Sequence, residues 1–125
     1  MASDLPALIA RVEAATGPDR ELDAEIALAT GWERGEAGAF WREPGTRLWS
    51  GYYPNPTASL DAAVSLVLEG WRFVGLTYVP IRRQWHCTLE APDGGLVHGA
   101  AKTEQHARTA AALRAWQAQE GKGHG

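Results

Sequence analysis

Three stretches of helical periodicity, set in material of a different character, limit what this 125-residue chain can fold into. They are LIARVEAATGPDRELDAEIA (8–27), TASLDAAVSLVLEGW (57–71) and HGAAKTEQHARTAAALRAW (98–116), the last beginning as a strand end. Leu5, Leu8, Ile9 and Val12 recur at one face of a 3.6-residue period, after Ser3 or Asp4 as a cap and Pro6 in the first turn. Gly17-Pro18 stops that helix. Asp19 is placed to cap a second, with Leu22, Ile26 and Ala29 inward and Gly31 at its end. Residues 1–31 therefore read as a helical hairpin. A third helix follows Thr57 or Ser59, with Leu60, Ala63, Val64, Val67 and Leu68 as its stripe and Gly70 as its stop.

The period then changes from 3.6 to 2. Residues 71–79 are apolar on both faces, the pattern of a strand covered on both sides. Pro80, Arg82 and Arg83 connect it to 84–90, where Trp85, Cys87 and Leu89 alternate with His86, Thr88 and Glu90. Pro92-Asp93-Gly94-Gly95 is a hairpin turn leading to a strand over 96–101. Thr103 caps a last helix that packs through Ala110, Leu113 and Trp116. The fold class is α+β, with an α-β-β-β-α core (57–118) on an antiparallel sheet of three or four strands. Helices three and four are expected on one face, the hairpin and residues 32–56 on the other face or an edge. Residues 119–125 are expected to fray.

The length suits one domain, burying about two-thirds of its unfolded surface without metal or disulfide. One cysteine, Cys87, excludes an intrachain disulfide and reads as a core residue on a strand face. No apolar run reaches the ~20 residues of a membrane span, and the first residues lack a signal-peptide pattern. The net charge is −3, but residues 1–69 hold eleven acids against five bases and residues 70–125 four against seven. The C-terminal half can thus present a positive face.

Catalytic chemistry finds little support. No serine sits in a nucleophile elbow, no glycine-rich loop opens a helix, and no metal-ligand spacing occurs. His86 and Cys87 point to opposite strand faces, whereas His98 and His106 straddle the strand-to-helix junction, where they could approach each other. The expectation is a non-enzymatic protein with no metal and no cofactor. Residues 32–56 hold six of the eleven aromatics among Gly and Pro, with short strands expected at 38–42 and 47–53. Phe40, Trp41, Arg42, Arg47, Tyr52 and Tyr53 are candidate anchors for a protein partner, because rings and Arg dominate interfaces. Trp32 and Trp49 are expected instead to cover the sheet. The alternative site is nucleic-acid binding through Arg82, Arg83, Lys102, His106 and Arg108.

Two resemblances bear on these expectations. The phrases at 10–27, at 57–71 (TASLDAA and EGW above all) and at 107–116 resemble the phage ABA sandwich domain of small phage and prophage proteins. The likeness covers nearly the whole chain, least in 32–56. It implies a layered α/β/α sandwich, a phage origin and residence in the bacterial cytoplasm. It carries no catalytic residue. With a phage origin and no catalytic group, the expectation is a phage accessory protein that binds a host or phage protein, inhibition of a host defence system being one such role. The phrase HCTLEAPDGGLVHGAAKTEQHARTAAALRAW resembles a double-stranded-RNA-binding domain in topology. Glu104 and Gln105 stand where that family places a lysine pair, and the first strand connection lacks its Gly-Pro-x-His pattern.

Overall fold

A computed structural model describes residues 4–36 and 38–122. Helix α1 (Leu5–Ala14) starts at Asp4, whose carboxylate accepts from the Ala7 amide at 3.4 Å, and buries the expected Leu5, Leu8, Ile9 and Val12. Helix α2 (Arg20–Ala29) is capped by Asp19, which accepts from Leu22 N–H. Gly31, at φ +97°, turns the chain out of α2 in a conformation that costs other residues a steric penalty. Strands β1 (Glu33–Arg34), β2 (Trp41–Arg42) and β3 (Trp49–Ser50) form a small antiparallel sheet. Two of these match expected strand positions; β1 lies in sequence that gave no strand signal.

Helix α3 (Leu60–Ser65) is capped by Ser59, not Thr57. It is shorter than its apolar stripe suggests. Ala62, Ala63 and Leu66 are buried, whereas Leu60 and Val64 are exposed. Strands β4 (Arg72–Val79), β5 (Gln84–Glu90) and β6 (Leu96–Ala101) make the main antiparallel sheet in the order β4-β5-β6. A bulge between Phe73 and Gly75 shifts the register of β4. Helix α4 (Glu104–Lys122) closes the α-β-β-β-α core. Its first turn is held by Thr103 Oγ1, which accepts from His106 N–H. Residues 119–122, expected to fray, are helical within α4; Gly123–Gly125 lie outside the described residues.

The α+β class is as expected, and its layering is built around an edge. Helix α4 lies on β5 and β6, and α3 packs on α4 over the same face. Close approach depends on Gly99, where a Cβ would meet Ala107 O at 2.2 Å and Ala111 N at 2.5 Å. An all-alanine seam (Ala107, Ala110, Ala111, Ala112, Ala115) sits fully buried along α4. The hairpin takes the β6 edge: α1 packs against α4 and β6. There the Glu13 carboxylate accepts from Ala100 N–H at 3.0 Å, and Arg114 donates both to Glu13 and to the His98 carbonyl. These two side chains occupy backbone groups that otherwise invite another strand.

The apolar pattern of 71–79 does not mean cover on both sides. Strand β4 is an edge, and Phe73, Val74 and Tyr78 are exposed. The sheet face away from α4 carries Thr77, His86, Thr88 and His98, and no described helix packs on it.

Candidate functional site

The aromatic segment is fastened to the body by a buried carboxylate. Asp23 is fully buried in α2 and accepts from Thr57 N–H at 3.0 Å and from Arg20 at 3.2 Å. Thr57 Oγ1 accepts in turn from Asp19 N–H. Arg20 also donates to the Pro54 carbonyl, and its guanidinium lies 3.7 Å over the Tyr53 ring. A buried polar group costs free energy unless it is hydrogen-bonded, and here Thr57 and Arg20 supply the partners. The result is that the chain from 53 to 57 is clamped onto the start of α2. The small sheet therefore stands as a fixed projection.

The two faces of that projection differ, because paired residues share a face. Trp41 pairs with Ser50 and with Arg34, and faces the body. It is 2% exposed, tilted against Tyr53 at 4.5 Å and covered by the Arg34 guanidinium. Trp41 was expected as an interface anchor; it is instead the core of the projection. Tyr53 is half-buried between Trp41 and Arg20. Arg42 is committed on the outer face, where it pairs with Glu33 and lies over the Trp49 ring. Phe40 and Tyr52, at 56% and 57% exposure, are free to meet a partner, and Arg47 is exposed beside them in sequence.

Trp32 and Trp49 depart from the expected cover role in different ways. Trp49 is 45% exposed on the outer face. Trp32 is half-buried with its ring edge-on to Tyr52 at 6.0 Å. Leu48 was not singled out in the sequence, yet it is 81% exposed, the most open apolar side chain of the segment. Its signal was weak: a lone Leu between charged and aromatic neighbours. Phe40, Leu48, Trp49 and Tyr52 are thus the exposed large apolar side chains of this segment.

Comparison with protein-family models, with curated proteins and with solved structures gives no match.

The five residues of the alternative site are not brought together. Arg82 and Arg83 are exposed in the β4–β5 turn, with Arg83 at φ +51°. The pairing of Trp85 with Ala101 puts Lys102 at the same end of the sheet. Arg108 is elsewhere: it bonds Glu104 at 2.9 Å and lies over Phe73. His106 is a correction. It is fully buried, hydrogen-bonded to Thr103, and cannot reach a phosphate. Burial pushes its pKa below the usual imidazole range, against opposing contributions from the Gly17 backbone and Asp23. His98 bonds Thr88 on the open sheet face, so the two histidines do not meet.

Cys87 is 1% exposed on the α4 side of β5. Burial pushes its thiol pKa up, with Arg108 opposing and Glu104 adding, the opposite of what a nucleophile needs. Among the described residues no group of three or more His, Cys, Asp or Glu side chains is placed to hold a metal. No described helix is long and apolar enough to cross a membrane.

Proposed function

We propose that this chain is a non-enzymatic accessory protein that acts by binding a protein partner through the aromatic projection. The observation that carries this reading is the contrast within residues 32–56. Trp41 is buried and the Asp23 clamp ties the chain that follows the small sheet to α2, while Phe40, Leu48, Trp49 and Tyr52 stay open. Rings held on a preorganised support lose little entropy when a partner covers them. The resemblance to the phage ABA sandwich domain supplies the setting: a phage-encoded protein occupying a host or phage protein in the bacterial cytoplasm, with inhibition of host defence as its effect.

The test is capture from nuclease-treated bacterial lysate with wild-type protein and with the Phe40→Ala/Tyr52→Ala double variant. Both positions are more than half exposed, so melting temperature should hardly move while capture is lost. Undiminished capture by the double variant would exclude the projection as the binding surface.

A second reading, nucleic-acid binding, draws on the proximity of Arg82, Arg83 and Lys102 at one end of the sheet. It predicts an affinity that falls steeply as salt rises. Absence of binding to double-stranded RNA and DNA at low salt would remove it.

A further inference from the structure

Between the projection and the helical body runs a groove made of two adjoining cavities, of about 270 and 380 Å³, which share Trp32, Glu43, Pro54 and Ser65. One wall comes from the projection, with Tyr52 and Leu48. The other comes from the end of α3 and from Trp116 of α4, whose indole N–H donates to the Leu66 carbonyl at 3.0 Å. Trp32 lies between, edge-on to Tyr52. Three rings from three separate parts of the chain therefore border one depression.

The charge of this groove is one-sided. Its charged lining residues are Glu43 and Glu69, both exposed, and among the described residues no Arg, Lys or His lines either cavity. Among the described residues neither carboxylate takes part in a salt bridge, whereas Glu33, Asp23, Glu25 and Glu13 each do. Aromatic faces and carboxylates attract the same ligand for different reasons: the ring quadrupole and the formal charge both favour a cation with an apolar stem. A purely apolar occupant would desolvate Glu43 and Glu69 without compensation, and an anion would be repelled.

We propose that this groove receives a cationic side chain, arginine or lysine, from a basic segment of the protein partner. The proposal rests on the partner-binding reading above and names the chemistry of what binds there. The groove then sets which segment of the partner is accepted.

The probe is the peptide acetyl-Gly-Gly-Arg-Gly-Gly-amide, compared with the same peptide carrying citrulline, which keeps the shape and loses the charge. The readout is the indole N–H resonances of isotope-labelled protein. Those of Trp32 and Trp116 should shift saturably with the arginine peptide, while that of Trp85, on the main sheet, stays still. The citrulline peptide, E43Q and E69Q should each weaken binding about threefold or more, as expected for losing one favourable charge contact. Equal shifts with citrulline, no shift at all, or full binding by the E43Q/E69Q double variant would overturn the proposal. Failure of the two readings is separable. If Phe40→Ala/Tyr52→Ala loses the partner but the arginine probe and the Glu variants have no effect, the cation site falls and the binding surface stands. If the double ring variant keeps the partner, the surface itself falls.

Discussion

Gly99→Ala is a single methyl group placed where the main sheet and α4 touch backbone to backbone. The new Cβ would lie 2.2 Å from Ala107 O, 2.5 Å from Ala111 N and 3.1 Å from the Ala110 carbonyl carbon. None of these atoms belongs to a flexible side chain, so no rotamer change can relieve the clash. Ordinary contact begins about 1 Å further out, so α4 must retreat by that distance, and a gap of this size forfeits a quarter to a half of each dispersion contact it opens. The seam affected comprises Ala107, Ala110, Ala111 and Leu113, all fully buried. Overpacking a core costs about 1–3 kcal/mol where side chains can adjust; against a rigid helix spine the expected cost is ~3–5 kcal/mol. That is a large share of the roughly 5–15 kcal/mol by which a domain of this size is stable. The expected fall in melting temperature is on the order of 10–20 °C. Urea and thermal unfolding followed by circular dichroism measure it, with Gly75→Ala as the comparison, because a Cβ at Gly75 meets nothing within 4 Å. Gly75→Ala should stay within about 0.5 kcal/mol of wild type. If Gly99→Ala unfolds like Gly75→Ala, the close approach of α4 to β6 is not as described and the reasoning fails.

Three further outcomes follow from the same geometry. Asp23→Ala leaves Thr57 N–H buried without an acceptor and Arg20 without its carboxylate, so chemical denaturation should show a loss of about 2–4 kcal/mol, with protease cleavage appearing first near residues 54–57. Burial lowers the His106 pKa in the folded state, so its contribution to stability is complete above the unfolded imidazole value of about 6.5 and is lost as pH falls from there through the lowered folded value. Unfolding curves at pH 7.5 and pH 5.5 should therefore differ for wild type and converge for His106→Gln; an equal acid loss in both would assign the effect elsewhere. At Glu13, burial raises the carboxyl pKa, but the bonds from Arg114 and from Ala100 N–H outweigh it and the net value is lowered, so this carboxylate stabilises above its unfolded pKa and fails only in stronger acid. Glu13→Ala should cost about 1–2 kcal/mol and, by baring the β6 edge, raise self-association in sedimentation runs; a sedimentation profile identical to wild type would show that the edge needs no such guard.

Local features that depend on neighbours in sequence were legible without coordinates. Asp4 and Asp19 cap their helices because a short carboxylate next to an apolar period has few other uses. The alternation of Trp85, Cys87 and Leu89 predicted which face of β5 would be buried, since side chains on a strand must alternate. The hairpin at Pro92–Gly95 was equally plain, with Gly94 at φ +94°.

What the sequence by itself determined about this protein is its list of helices and main-sheet strands, and with it the α+β class. Those choices are made by periods and caps that act over four to eight residues. The tertiary structure alone decided which of the chemically similar groups are available. It buried Trp41 and left Trp49 open, although both are tryptophans in two-residue strands of one small sheet. It took His106 out of a basic helix start and sealed it beneath Thr103. It turned Thr57 from a helix cap into a clamp on Asp23, and it brought Trp32, Tyr52 and Trp116 to one groove across more than sixty intervening residues. Burial depends on which distant surface arrives to cover a residue, and no local period encodes that.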